Sequence, residues 1–189
     1  LHERMPPKPL NPYGLQKFVG EEYCRVYSVC HQMETVSLRY FNVYGPRISA
    51  DGAYVTVMAL FLQQRKAGEP FTIVGDGEQT RDFTHVRDVV RANILAMRSS
   101  KVGHGEVINI GAGKNQSVNE IARLMGGANY PKTYLPARIE ARHTLADNQR
   151  ARELLGWEPK ERFEDAVREL LDLHGFGTTE PNLQLQATH

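Results

Sequence analysis

Tyr13 and Lys17 lie four positions apart in Asn11-Pro12-Tyr13-Gly14-Leu15-Gln16-Lys17, so a helix through them sets a phenol and an ammonium on one face. A positive charge beside a phenol favours the phenolate. A phenolate can take the proton of a sugar or alcohol hydroxyl while hydride leaves the same carbon. Pro12 suits the first turn of such a helix, where its missing N–H would have had no partner. The same spacing also describes an ordinary solvated helix face, and the rest of the chain has to separate the two.

Two further segments do so. Residues 36–47 read Val-Ser-Leu-Arg-Tyr-Phe-Asn-Val-Tyr-Gly-Pro-Arg, an apolar β-rich run closed by Gly45-Pro46. Residues 73–88 place a Gly-rich turn between two short apolar runs. With Tyr13 and Lys17, the stretches LRYFNVYGPR and GDGEQTRDFTHVRDVV resemble the NAD-dependent epimerase/dehydratase family, extended short-chain dehydrogenases that act on nucleotide sugars. They are most similar to its UDP-hexose and UDP-N-acetylhexosamine 4-epimerases. The resemblance runs from about Pro6 to about Leu173.

The resemblance implies a mechanism and a set of roles. Tightly held NAD oxidises C4 of a UDP-sugar, the 4-keto sugar turns over, and reduction on its other face gives the epimer. Tyr13 is then the general acid/base, and Lys17 holds the nicotinamide ribose. Phe41 faces the nicotinamide, although an ordinary core aromatic would read the same. Asn42 and Arg81 meet the diphosphate, a guanidinium being the natural bidentate partner of a phosphate. Their plainer readings are a turn asparagine and a surface arginine. Thr72 and Val74 correspond to positions lining the uracil site. Residues 135–147 resemble the nucleotide-clasping loop, with Arg138, Glu140 and Arg142 as contacts. Ile139-Glu140 departs from the usual Gly-acidic pair there. Thr144, three residues before Asp147, corresponds to a gate beside the sugar's C2 substituent. A homodimer is implied as well.

The family's opening strand and Gly-rich pyrophosphate turn are not found. Gly111-Ala112-Gly113 follows an apolar run, but it lacks the third spaced glycine and the acidic ribose reader. The chain is therefore expected to be the C-terminal part of a longer enzyme, with the Ser/Thr partner of Tyr13 upstream, and to be inactive alone. Sister reactions stay open: a nucleotide-sugar 4,6-dehydratase or a UDP-glucuronate decarboxylase. So does a non-catalytic fragment that binds UDP-sugars.

The elements that must position these residues follow an α/β order. A length of 189 residues, 41% apolar and 24% charged, suits one globular unit with two lobes. Net charge is +1 with no Lys/Arg block, so neither nucleic acid nor a membrane surface is implied. Cys24 and Cys30 fall on different faces of one helix, which fits a reducing cytoplasm, and no His/Cys spacing suggests a metal.

After an extended lead-in over 1–11, helices are expected at 12–33, 54–67, 86–99, 118–126, 148–155 and 163–173. Strands are expected at 36–42, 71–74, 83–86, 107–110 and, briefly, 145–146. Ser117 and Glu120 form a capping box, and Asp147 is read as the cap of helix 148–155. Residues 12–47 and 83–112 read as the back of a Rossmann-like parallel-sheet lobe, and 48–82 with 113–174 as a small α/β nucleotide-sugar lobe. Residues 175–189 read as a disordered tail. So few strands leave a sheet edge open to a missing segment or to self-association.

Overall fold

The computed structural model describes residues 1–51, 55–138 and 140–177. In chain order the first elements are α1 (Pro12–His31), β1 (Thr35–Tyr40), β2 (Val43–Tyr44), α2 (Val57–Ala67), β3 (Phe71–Val74), β4 (Thr80–Asp82) and β5 (Thr84–His85). Then come α3 (Val86–Arg98), β6 (His104–Ile110), β7 (Asn115–Ser117), α4 (Val118–Gly126), β8 (Lys132–Leu135), α5 (Gln149–Leu155) and α6 (Phe163–Leu173).

Two cores organise them. In the first, β1 and β6 pair in parallel, and Ile108 and Ile110 are buried with Val89, Ala92 and Ala96 of α3 and Ala151 and Leu155 of α5. Trp157 closes this core, fully buried, with its indole N–H donating to the Asp88 carbonyl at 2.9 Å. Helix α1 lies on the same strand pair and buries none of its residues fully. Its approach depends on Gly105, because a Cβ there would come within 2.9 Å of the Arg25 Cα. The second core packs α2, α4 and α6 around β3, with Phe61, Phe71 and Tyr130 stacked in sequence and Ile121, Met125 and Leu170 buried beside them. Strand β3 pairs in parallel with β8, and β4 antiparallel with β7. The short parallel pair β2 and β5 joins the halves, since Tyr44 and the neighbouring Phe83 belong to the second core.

Local signals set most boundaries. Asn11 caps α1 by accepting the Gly14 N–H at 2.8 Å, and Ser117 and Glu120 complete the capping box of α4. The expected strand 36–42 ends at Tyr40, because Asn42 turns the chain with φ +21°. The expected strand 83–86 is instead β4, a break at Phe83, and β5. No strand forms at 145–146, where the Ala146 N–H donates to the Asp82 carboxylate. Helix α5 has Asn148 rather than Asp147 at its cap position; the Asp147 carboxylate accepts the Gln149 N–H at 2.9 Å.

Helix α5 was grouped with the second lobe, yet it packs in the first core. The lead-in contains a turn, and its Glu3 carboxylate accepts the Asn109 N–H. Residues 175–177, grouped with the tail, still belong to the packed body, where Phe176 lies under the Arg65 guanidinium. Residues 178–189 of that tail and Tyr54, the first residue of the expected second helix, lie outside the described residues. Among the described residues β1 pairs with β6 alone, no helix is long and apolar enough to cross a membrane, and no group of side chains could hold a metal ion.

Candidate active site and nucleotide recess

Tyr13, Gly14 and Lys17 of α1 and Phe41 at the end of β1 line one groove of about 970 Å³. The Lys17 ammonium lies 5.2 Å from the centre of the Tyr13 ring, so the phenol and the cation meet as the helical spacing predicts. The Tyr13 side chain is open to the groove at 45% exposure. What holds the helix in place was not read from the sequence. Arg39 of β1 donates two hydrogen bonds to Glu21 of α1, at 2.7 and 2.8 Å, in a half-buried bidentate pair. Thr35 adds a hydroxyl donation to the Cys24 carbonyl at 2.8 Å. These contacts couple the strand that leads into Phe41 to the helix carrying Tyr13 and Lys17.

A second recess of about 270 Å³ opens at the end of β3, lined by Val74, Gly75, Asp76, Gln79, Ala137, Arg138, Glu140 and Arg142. The loop through Glu140 and Arg142 runs along β4, with the Thr80 N–H donating to the Arg142 carbonyl and the Thr144 N–H donating to the Thr80 carbonyl. Arg81 reaches over this loop, pairing with Glu140 at 3.1 Å and donating to the Arg142 carbonyl at 3.2 Å. Arg142 in turn pairs with Asp76 at 2.8 Å, and that hydrogen bond holds the Asp76 carboxyl below its ordinary range. Arg81, Arg138, Glu140, Arg142 and Val74, distant in sequence, thus come together. Each of the two paired arginines here has its own carboxylate, Arg81 with Glu140 and Arg142 with Asp76.

Thr72 and Thr144 are placed differently. The Thr72 N–H donates to the buried Gln64 carboxamide oxygen at 3.0 Å, and the Thr72 hydroxyl oxygen accepts from the Gln64 amide N–H at 2.6 Å, which leaves the hydroxyl proton to donate elsewhere. Val74 keeps its place in the wall, but its carbonyl already accepts the Gln79 side-chain N–H at 2.8 Å. Thr144 lines neither recess, and its buried hydroxyl lacks a hydrogen-bond partner. Asn42 bridges the two regions. It follows Phe41 in the groove wall, and its amide donates to the carbonyl of Asp82, the residue after Arg81, at 3.2 Å. Its positive φ is a conformation asparagine tolerates better than most residues.

The sequence profile of the NAD-dependent epimerase/dehydratase family matches residues 1–111. The chain belongs to this family. A UDP-glucose 4-epimerase of Mycolicibacterium smegmatis is 34% identical over 174 residues, 90% of this chain and 55% of its own length. The UDP-glucose 4-epimerase of Thermotoga maritima, solved with UDP-glucose, superposes with a TM-score of 0.83 at 37% identity, over 93% of this chain and 56% of that one. The UDP-glucuronic acid 4-epimerase of Bacillus cereus, solved with UDP-glucuronic acid and NAD, gives 0.85 at 35% identity, with the same coverage. This chain thus spans about half the length of the curated relatives it matches. The parallel strand pairs and flanking helices are those of a Rossmann-like epimerase.

Proposed function

We propose that this chain supplies the acid/base pair and the nucleotide-sugar anchor of a UDP-sugar 4-epimerase. The supporting observation is the link through Asn42: it follows Phe41 of the Tyr13–Lys17 groove and donates to the carbonyl of Asp82, beside Arg81, whose guanidinium pairs with Glu140 of the recess. In this reading Arg81 and Arg142 hold the diphosphate, and Glu140 takes the ribose hydroxyls once Arg81 turns to the phosphates. Tyr13 removes the C4 hydroxyl proton and returns it after the 4-keto sugar turns over.

The groove suits the nicotinamide end of NAD. It presents a phenol and an ammonium at the helix start and an aromatic ring at the strand end, within a volume large enough for a ribosyl ring. Lys17 would hold the ribose and Phe41 would pack on the ring. NAD, when bound, supplies the oxidant for C4. The Gly-rich turn that grips its pyrophosphate is not among these residues, so the 189-residue chain alone is proposed to bind UDP without turning over.

The reading extends to a homodimer, supported by the exposed apolar stripe Leu15, Val19, Tyr23 and Val26 on α1. It also extends to a cytoplasmic setting, which the two unbridged thiols fit.

Calorimetric titration of the chain with UDP, CDP and ADP tests the anchor. Preferred binding of UDP is expected, and no UDP binding up to millimolar concentration would overturn the reading. Conversion of UDP-glucose to UDP-galactose by this chain with added NAD would overturn its proposed incompleteness.

A further inference from the structure

Asp82 follows Arg81 directly, and the proposed reaction gives it no task. Its side chain is fully buried, which is costly for a carboxylate. What surrounds it is three backbone N–H donors from two distant segments. One carboxylate oxygen accepts from Ala112 at 2.7 Å, and the other accepts from Gly113 and Ala146 at 3.0 Å each. Burial pushes this carboxyl above the ordinary range, and the three N–H groups pull it back toward the charged form.

The packing around it is tight. A Cβ at Gly111 would lie 2.3 Å from the Ala146 Cβ and 2.8 Å from the Asp82 carboxylate. Asn148 brackets the same glycine, accepting its N–H at 3.3 Å and donating to its carbonyl at 2.7 Å. Strand β4, the turn after β6 and the loop leading back to Arg142 therefore meet at one carboxylate. A leucine could fill the space, but it would leave three buried donors without partners. An asparagine would offer one oxygen and turn an amino group toward at least one of the donors.

We propose that Asp82 is a positioning residue for the nucleotide anchor: by clasping the N–H of Ala146 it fixes the loop 140–146 along β4, so that Arg81 and Arg142 converge on a nucleoside diphosphate. This rests on the function proposed above. The loop is held at one end by this clasp and at the other by the Arg81–Glu140 pair. Glu140 must leave that pair when a diphosphate arrives. The Asp82 clasp then remains to keep Arg142 in place, together with the Arg142–Asp76 pair, the β4 backbone bonds at Thr80 and the contacts of Leu1 with Leu145 and Asp147.

A double-mutant cycle separates positioning from mere support, because residues acting through one anchor are non-additive. UDP is titrated into the wild-type chain, Asp82→Asn, Arg142→Ala and the double variant. Asp82→Asn is expected to weaken UDP about tenfold, and Arg142→Ala by about tenfold or more, on the scale of a hydrogen bond to a charged group. The double variant should bind within about twofold of Arg142→Ala, the cycle being read well outside additive error. Additive losses, or wild-type affinity in Asp82→Asn, would overturn the proposal. Wild-type affinity in Arg142→Ala would overturn it too, since Asp82 is said to act through the loop that carries that side chain. A wild-type chain that ignores UDP would remove the functional reading and this proposal with it.

Should Asp82→Asn fail to fold, hydrogen exchange on the wild-type chain decides. Saturating UDP should slow the Gly113 and Ala146 amides, because coupling between ligand and clasp is reciprocal. Unchanged exchange at both amides would overturn the proposal.

Discussion

Replacing Arg81 with alanine should cost ligand affinity far more than stability, and the structure sets both magnitudes. Without ligand, the guanidinium pairs with Glu140 and donates to the carbonyls of Thr80 and Arg142. Glu140 is 45% exposed, so the ion pair is screened, and its loss should cost about 0–1 kcal/mol. The two carbonyls lie on a partly open strand and loop where water can replace the arginine. For a chain of this size, ~1 kcal/mol lowers Tm by about 2–4 °C. Binding differs, because a diphosphate in the recess would lose its charge-assisted partner. At ~1.5–3 kcal/mol for a hydrogen bond to a charged group, UDP affinity should fall about 10–150-fold. Trp157, the only tryptophan and fully buried in the other core, reports unfolding by its fluorescence. Titration calorimetry reports the Kd. A melting point lowered by much more than a few degrees, with unchanged UDP affinity, would put Arg81 in the scaffold and refute its placement at the diphosphate.

Three further outcomes follow from the same geometry. Tyr13→Phe, assayed in a form extended to turn over, should lose about 10²–10⁴ in kcat as a general acid/base does, with UDP affinity unchanged in calorimetry. Thr144 lines neither recess, so Thr144→Tyr should change the binding of UDP-hexoses and UDP-N-acetylhexosamines by the same factor; selective loss of the acetamido pair, on the scale of about 1–3 kcal/mol for an overfilled space, would refute this and restore the gate that the resemblance implies. Burial holds the His85 imidazole below its ordinary pKa of 6.5, and its Nδ1 accepts the Arg87 N–H, so the folded chain keeps it neutral. The unfolded chain then binds the extra proton first, and stability falls as pH drops below 6.5. His174, also lowered by burial, acts in the same direction. Melting between pH 7.5 and 5.5 should show a smaller decline in His85→Asn than in wild type, and identical slopes would refute the assignment (pH range chosen to span about one unit each side of the ordinary histidine value).

Much of this molecule follows from short-range chemistry. Asn11 and Pro12 start α1, Ser117 and Glu120 start α4, and the alternation Phe71–Val74 makes a strand wherever its partner lies, because a cap or a pleat involves only neighbours along the chain. The helical spacing of Tyr13 and Lys17 belongs to the same class. So does the order of the motifs, which was enough to point to the family.

The rest depended on contacts between residues 30 to 106 positions apart, to which periodicity is blind. Lys132–Leu135 carries no alternation and becomes β8 only because β3 offers a parallel edge. Helix α5 looks the same in sequence whichever lobe it joins, and the buried Trp157 decides for the first core. Nothing near Thr72 in sequence shows that the buried Gln64 carboxamide binds its N–H and its hydroxyl oxygen. Asp82 reads as one more charged residue in a loop-rich motif. Only folding brings it the N–H groups of Ala112, Gly113 and Ala146, and a carboxylate can stay buried only where such donors converge.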